Sequence, residues 1–540
     1  MPGAPNPKAR EVVVALVATI LVGWPLLGDA IPIGHDTYAY PPRIAEWLAS
    51  ARAMEWPRWA SGLSAGHGQP LFVFVPPLFH ALSAAWFVAT GDLGLAINSS
   101  LVTLLFVGTL AIAATARASG ADGIIAAISF ATSPWILADL YVRAAFAELS
   151  ALCVFPIALF GLTSKQRAPL AAIGVALVML AHFPSALILA PLYLGFAVAR
   201  ALDEGSFELV IRALLLGALG LACAAFVWAP PIMLASSVHL DRAASHYTDF
   251  RLHFLEPVQL LVGEWGHGLS VEGPDDGMSF ALSSVSVVAA VLALRRGSRG
   301  TVVLAGLALA AAFLTTGASS LFWESLPLLP RVQFPWRFLG PASIALVLVA
   351  SRLPERFESP GWRAVVRVGL VAALLATALP HALPFRTEPV DLLDLSPEQL
   401  ARNDVAATIA EEFEPAAVTE RAEPWDGIAE LRTGAASIRL LARTPNTLKV
   451  EVDAAAASTV ALGVHDFPVW ALEGSIHGVE LGVEARSGLV TVSVPKGRHQ
   501  LALRLEPTTG ELALRAASFA AFVALVAWAR RARSRLRPPE

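Results

Sequence analysis

The chain is poor in cysteine and in charge. It has 2 cysteines in 540 residues, Cys153 and Cys223, and both lie inside apolar runs. They cannot supply a disulfide framework or a CxxC metal site, and packing is their expected role. Only 15% of residues are Asp, Glu, Lys or Arg, against about a quarter in an ordinary soluble domain. That scarcity argues against a water-soluble globular chain. A formal net charge of −4 offers no basic face to nucleic acid, so no nucleic-acid partner is expected. No GxxxxGK[ST] occurs, no GxGxxG opens a helix after a strand, and HExxH is missing, which leaves nucleotide-driven chemistry and zinc-peptidase chemistry without their motifs. GxSxG and SxxK each occur once, as Gly62-Leu-Ser-Ala-Gly66 and Ser493-Val-Pro-Lys496. The first lacks the strand-turn-helix setting of a nucleophile elbow and the second sits in a strand, so both read as chance matches.

Apolar residues make up 56% of the chain. They gather into thirteen runs near 11–31, 71–90, 95–116, 121–138, 144–162, 168–184, 186–201, 209–235, 279–294, 301–317, 335–351, 364–383 and 511–529, each near the length of about 20 residues that a spanning helix needs. The expected class is therefore a polytopic α-helical membrane protein. Lys8 and Arg10 before the first run, with Gly28-Asp-Ala30 after it, also fit a cleavable signal peptide. A retained helix is favoured, because many helices follow. Arginines cluster at 295, 296 and 299, at 352, 356 and 363, and in the tail at 530, 531, 533, 535 and 537. By the positive-inside rule these loops are cytoplasmic, 237–278, 318–334 and 384–509 face outward, and 34–70 joins them if the first helix runs outward from Lys8 and Arg10. Thirteen crossings would put the two termini on opposite sides, so one run is expected not to cross. The suspect is 71–90, opened by Pro70, Pro76 and Pro77.

Between 384 and 509 long apolar runs give way to short alternating ones, such as Thr447-Leu-Lys-Val-Glu-Val-Asp and Gly488-Leu-Val-Thr-Val-Ser-Val, the period of half-buried strands. The expected organisation is a helical domain over 1–383 with an outer first loop at 34–70, an extracytoplasmic β-sandwich-like domain over 384–509, and a final helix with a basic tail over 510–540.

Candidate chemistry lies at the outer helix ends. Asp36 follows His35 where the first run ends, ahead of an amphipathic stretch carrying Trp47, Trp56 and Trp59. It is either a helix cap or a reactive carboxylate. Asp139 and Arg143 stand four apart and can pair on one helix face, while Glu148 falls off that face in a regular helix and needs another partner or a role. Arg143 could instead bind phosphate beside a second carboxylate. His182, in Ala181-His-Phe-Pro184, fits a structural histidine at a helix break better than a catalytic one. Arg331 and Arg337 stand with Trp336 and two prolines in one short segment, an arrangement that suits an anion site or arginines reaching to lipid head groups. The loop 237–277 is rich in His, Asp and Glu without metal-ligand spacing, and substrate or lid contacts are expected of it.

Gly34-His-Asp-Thr-Tyr, the amphipathic first loop, Tyr141-Val-Arg-Ala-Ala-Phe-Ala-Glu and Gln333-Phe-Pro-Trp-Arg-Phe resemble the bacterial membrane family labelled 6-pyruvoyl-tetrahydropterin synthase-related, in the GT-C glycosyltransferase-like superfamily. Glu412-Phe-Glu-Pro, His465-Asp-Phe-Pro-Val-Trp-Ala-Leu-Glu-Gly and Pro495-Lys-Gly-Arg-His resemble the tail of bacterial membrane proteins implicated in glycosylating cell-envelope polymers. There the turn is Tyr-Pro-Gly-Trp-like; here it is Phe467-Pro-Val-Trp470. The resemblance implies a bacterial inner-membrane protein that moves a sugar from a polyprenyl-phosphate carrier to a glycan or protein acceptor on the outer face. By the resemblance Asp36 maps to the catalytic carboxylate, with Glu148 or Asp139 as a second acidic group; His35, Asp139, Arg143, His182, Arg331 and Arg337 are the expected substrate contacts. No DxD or ExD stands in the first loop, so no cofactor is implied, although a divalent metal is compatible. Two other classes fit the same sequence: a non-catalytic scaffold for envelope polymer assembly, and a lipid or glycan transporter. An outer cavity joining Asp36, Glu148 and Arg337 would favour the enzyme.

Overall fold

The computed structural model describes residues 7–244, 246–408, 410–424, 429–474 and 477–534; Arg535 and Arg537 of the basic tail lie outside them. Among the described residues seven helices are long and apolar enough to cross a membrane: Ala9–Leu27, Leu93–Ala118, Gly123–Val142, Phe183–Glu204, Pro335–Arg356, Pro360–His381 and Thr509–Arg530. An eighth span is available if Glu208–Cys223 and Ala225–Met233, bent by 69° at their junction, are taken together. The protein is thus a polytopic helical membrane protein with a C-terminal β domain. Several of the thirteen runs form helices too short to cross alone, including Phe146–Gly161, Ser284–Leu294 and Arg299–Leu314. The run 71–90 breaks at Val75, whose backbone is extended, as the residue before a proline prefers. Its main helix, Leu78–Thr90, has 13 residues and reaches about 20 Å, short of the ~30 Å hydrocarbon core.

Helices in lipid gain little from burying apolar surface, so small residues that let backbones approach do the packing. Gly174 is such a position: a Cβ there would come within 2.3 Å of the Ala158 nitrogen. Charges at the arginine-loop end are paired, Glu11 with Arg117 at 2.6 Å and Asp122 with Arg367 at 2.5 Å. Asp122 also caps Gly123–Ala131 by accepting from the Ile124 and Ile125 amides.

The strands are β1 (Ile31–Ile33), β2 (Arg386–Glu388), β3 (Ala429–Thr433), β4 (Ala436–Thr444), β5 (Thr447–Ala454), β6 (Ser458–His465), β7 (Trp470–Leu472), β8 (Glu480–Val483), β9 (Leu489–Val494) and β10 (Gly497–Leu505). Two four-stranded antiparallel sheets, ordered β4-β5-β10-β7 and β3-β6-β9-β8, enclose a core that includes Val450, Val452, Leu462, Val492, Leu501 and Leu503. The sandwich strands begin at Ala429, not near 384. The stretch before them is a strap: β2 pairs with β1 beside the end of the first helix, and Arg43 of the first-loop helix Tyr40–Arg52 holds the Ala407 carbonyl from both Nε and Nη2. The sandwich docks on the rest of the first loop. Glu55 accepts from Thr444 and Asn446, Arg443 donates to the Gly66 carbonyl, and Trp59 lies among the sandwich core residues. Ser64 is buried within this docked loop, and Ser493 lies in β9; neither stands at a nucleophile elbow.

Candidate functional site

The first helix ends in a tight turn over Trp24–Leu27. Asn98 ties the following chain down through the Gly28 and Ala30 carbonyls. After β1 the chain lies against the segment 142–144. His35 and Asp36 donate their amides to the Val142 and Arg143 carbonyls at 3.1 and 2.8 Å. This approach requires glycine at 34, where a Cβ would stand 2.4 Å from the Val142 oxygen. Thr37 closes the turn, accepting from the Gly34 amide and donating to the Pro32 carbonyl. Asp36 precedes the short turn Thr37–Ala39, but its carboxylate makes no capping hydrogen bond. It is half-buried and lines a cavity of about 320 Å³.

Behind that wall lies an ion cluster. Residues Ala138–Val142 form a π-helical turn, in which the Arg143 amide bonds to the Ala138 carbonyl. Ala144 then takes a left-handed backbone, φ 50°, and a new helix starts at Phe146. The extra residue and the break swing Glu148 back toward Arg143. The Arg143 guanidinium consequently bonds Asp139 through Nη1 and sits 3.0 Å from Glu148 through Nη2. Arg337 reaches the same Glu148 oxygen from the other side, Nε to Oε2 at 3.2 Å, and gives Nη1 to the Val332 carbonyl. Its Nη2 has no protein acceptor among the described residues. Trp336 packs under the cluster, with the Arg143 guanidinium 4.4 Å from its ring centre, a cation–π contact in a nearly dry setting.

The cavity is walled by His35, Asp36, Arg143 and Arg337, by Tyr247 and Ser270 from the loop 237–278, by Gln333, and by Glu412 from the strap. Gln333 holds a left-handed backbone, φ 67°, a conformation uncommon for a non-glycine residue and characteristic of constrained sites. His35 Nε2 lies 3.1 Å from the His267 carbonyl oxygen, which can only accept, so Nε2 carries the proton. Burial lowers the His35 pKa and favours the neutral ring. His35 therefore fastens the outer loop to the Asp36 turn.

The structure brings His35, Asp36, Arg143 and Arg337 together. Glu148, expected as a second catalytic carboxylate, does not line the cavity; it is 1% exposed and held between two guanidiniums. Asp139 is likewise buried behind the wall. His182 bonds Ser185 at the break between two helices and does not face the cavity. Arg331 is exposed and also points elsewhere. The second carboxylate on the wall is Glu412, about which the local sequence says only that it belongs to Glu412-Phe-Glu-Pro. Among the described residues no group of three or more His, Cys, Asp or Glu side chains is arranged to hold a metal ion.

No protein-family model matches the chain, and no curated protein matches it. Solved structures do. One similar structure is the arabinofuranosyltransferase AftD from Mycobacteria, a mutant form, with 20% identity and a TM-score of 0.44. The match covers 72% of this chain, which spans 29% of the length of that one.

Proposed function

We propose that the protein is a membrane glycosyltransferase of the GT-C type. In this reading it transfers a sugar from a polyprenyl-phosphate carrier to a cell-envelope acceptor on the outer face of the bacterial inner membrane. One observation carries the reading: a single cavity presents the Asp36 carboxylate, without an ion-pair partner among the described residues, together with Arg337, whose Nη2 has no protein acceptor. Asp36 accepts the proton of the acceptor hydroxyl as its oxygen attacks the anomeric carbon. The bond from that carbon to the carrier phosphate breaks, and the phosphate leaves with the electron pair. Arg337 steadies the charge that develops on it, and a positioned cation in a water-poor site acts with little reorganisation. Arg143 is already committed to Asp139 and Glu148 and positions the wall. Glu148 positions Arg337.

Transfer by Asp36→Asn, assayed with labelled carrier-linked sugar, tests this. A base contributes about a hundred- to ten-thousand-fold, so the variant is expected to fold and bind carrier yet transfer almost nothing. Wild-type transfer by Asp36→Asn would remove Asp36 from the base role, and absence of transfer by the wild-type chain would return the protein to the scaffold class.

A further inference from the structure

Away from the Asp36 cavity, the first loop meets the last helix. Arg58 is 5% exposed and bonds Glu511 through Nη2 at 2.5 Å. Glu511 also caps its own helix: its other oxygen accepts from the Thr508 amide while the Thr508 hydroxyl accepts from the Glu511 amide, a capping box. One carboxylate thus serves Arg58 and the cap together. Arg58 Nη1 remains buried with no partner, a costly state for a charged donor. Arg515, one turn along the helix, lines the same small cleft as Arg58 and Glu511 and has no carboxylate partner among the described residues. The cleft therefore holds one uncompensated positive charge. Trp47 and Trp56 wall it, residues that favour head-group depth.

From Arg515 an apolar groove of about 440 Å³ runs down the last helix past Phe519 and Phe522 to Leu525, opposite Ala176 and Leu177. Ten helical residues span about 15 Å, a depth suited to a hydrocarbon chain. No residue of this groove lines the Asp36 cavity.

We propose that this cleft and groove form a binding site for an anionic phospholipid, with the phosphate on Arg58 and Arg515 and one acyl chain along the last helix. The chemistry on the page favours it: a buried unpaired guanidinium nitrogen and a net positive charge sit at the head of an apolar channel. The site would lock the first loop to the last helix.

The full chain, purified in detergent, is offered equal phosphatidylglycerol and phosphatidylcholine and read by native mass spectrometry. Phosphatidylglycerol is expected to be retained about fivefold over phosphatidylcholine, the factor that one arginine near an anionic lipid supplies. Arg58→Gln breaks the pair with Glu511 and endangers folding, so Arg515→Gln, which leaves that pair intact, is the decisive variant. It should bring the ratio close to one, and Ala176→Trp, which fills the groove, should lower retention of both lipids. Equal retention by the wild type, an unchanged ratio in Arg515→Gln, or preference for a polyprenyl phosphate over phosphatidylglycerol would each overturn the assignment. None of these readings depends on transfer activity.

Discussion

The ion cluster and the cavity wall are adjacent and built from the same residue types, yet they treat charge in opposite ways. In the cluster, Asp139 and Glu148 face Arg143 and Arg337, two negative charges against two positive ones, and all but Arg337 are almost fully buried. On the wall, Asp36 and Glu412 have no ion-pair partner among the described residues and face open space. A carboxylate clamped by two guanidiniums makes a poor base, because taking up a proton would break both pairs; one that faces a cavity unpaired can take up a proton there. The difference separates ion-paired acids that hold the wall from unpaired ones that face the cavity more surely than their place in the sequence does.

Substitutions can break or sharpen that contrast. The largest effect is expected at Asp36, where Asn should cut transfer about a hundredfold or more while the melting temperature in detergent stays near the wild-type value. Glu148→Gln should do the reverse, lowering stability by about 3–5 kcal/mol, since it strands buried guanidinium charge; a thermal inactivation series measures this, and an unchanged midpoint would remove the cluster's structural role.

Glu46 provides a third kind of carboxylate, 1% exposed, accepting from the Gly62 amide and the Ser61 hydroxyl with no cation in bonding contact among the described residues. Burial pushes its pKa up to about 7, against its ordinary 4.5. The folded state therefore holds this proton more tightly than the unfolded chain. The associated stability is complete below about pH 4.5 and is lost as pH rises through 7, a change of about 3 kcal/mol at 1.36 kcal/mol per unit. Glu46→Gln should flatten that part of the stability profile, and an identical slope in both proteins would refute the assignment.

The smallest effect is expected for Arg337→Lys. An ammonium keeps the charge but loses the fork geometry, so carrier binding measured by lipid titration should weaken about tenfold with folding intact. Wild-type binding by the lysine variant would leave Arg337 as a structural partner of Glu148 and nothing more.

Much of this was legible in the chain. Alternation marked β4, β5, β9 and β10, because each has one face on the sandwich core and the other toward water. Apolar run length marked the bundle, and His35 with Asp36 at the end of the first run marked a candidate site. The expectation that Glu148 falls off the Asp139–Arg143 face failed for a local reason: it assumed 3.6 residues per turn through 139–148, whereas the π-turn and the left-handed Ala144 reset the phase. Arg331 and Arg337 looked equivalent by composition, and only the fold turns one inward and leaves the other exposed. Glu412 could not be read as a wall residue, because the Asp36 turn with which it shares the cavity lies more than 370 positions earlier in sequence. The strap was taken for part of the sandwich because its short polar segments resemble the loops between strands.

That strap has a consequence for how the protein comes into being. Asp36 is made before the helices that follow it, whereas part of the cavity wall waits for Ala410 and Glu412, which follow the helix Pro360–Ala378. A nascent chain that stops short of the strap presents Asp36 without the part of the wall that Ala410 and Glu412 supply. The order of the sequence thus completes the cavity wall only after the helix Pro360–Ala378 has been made.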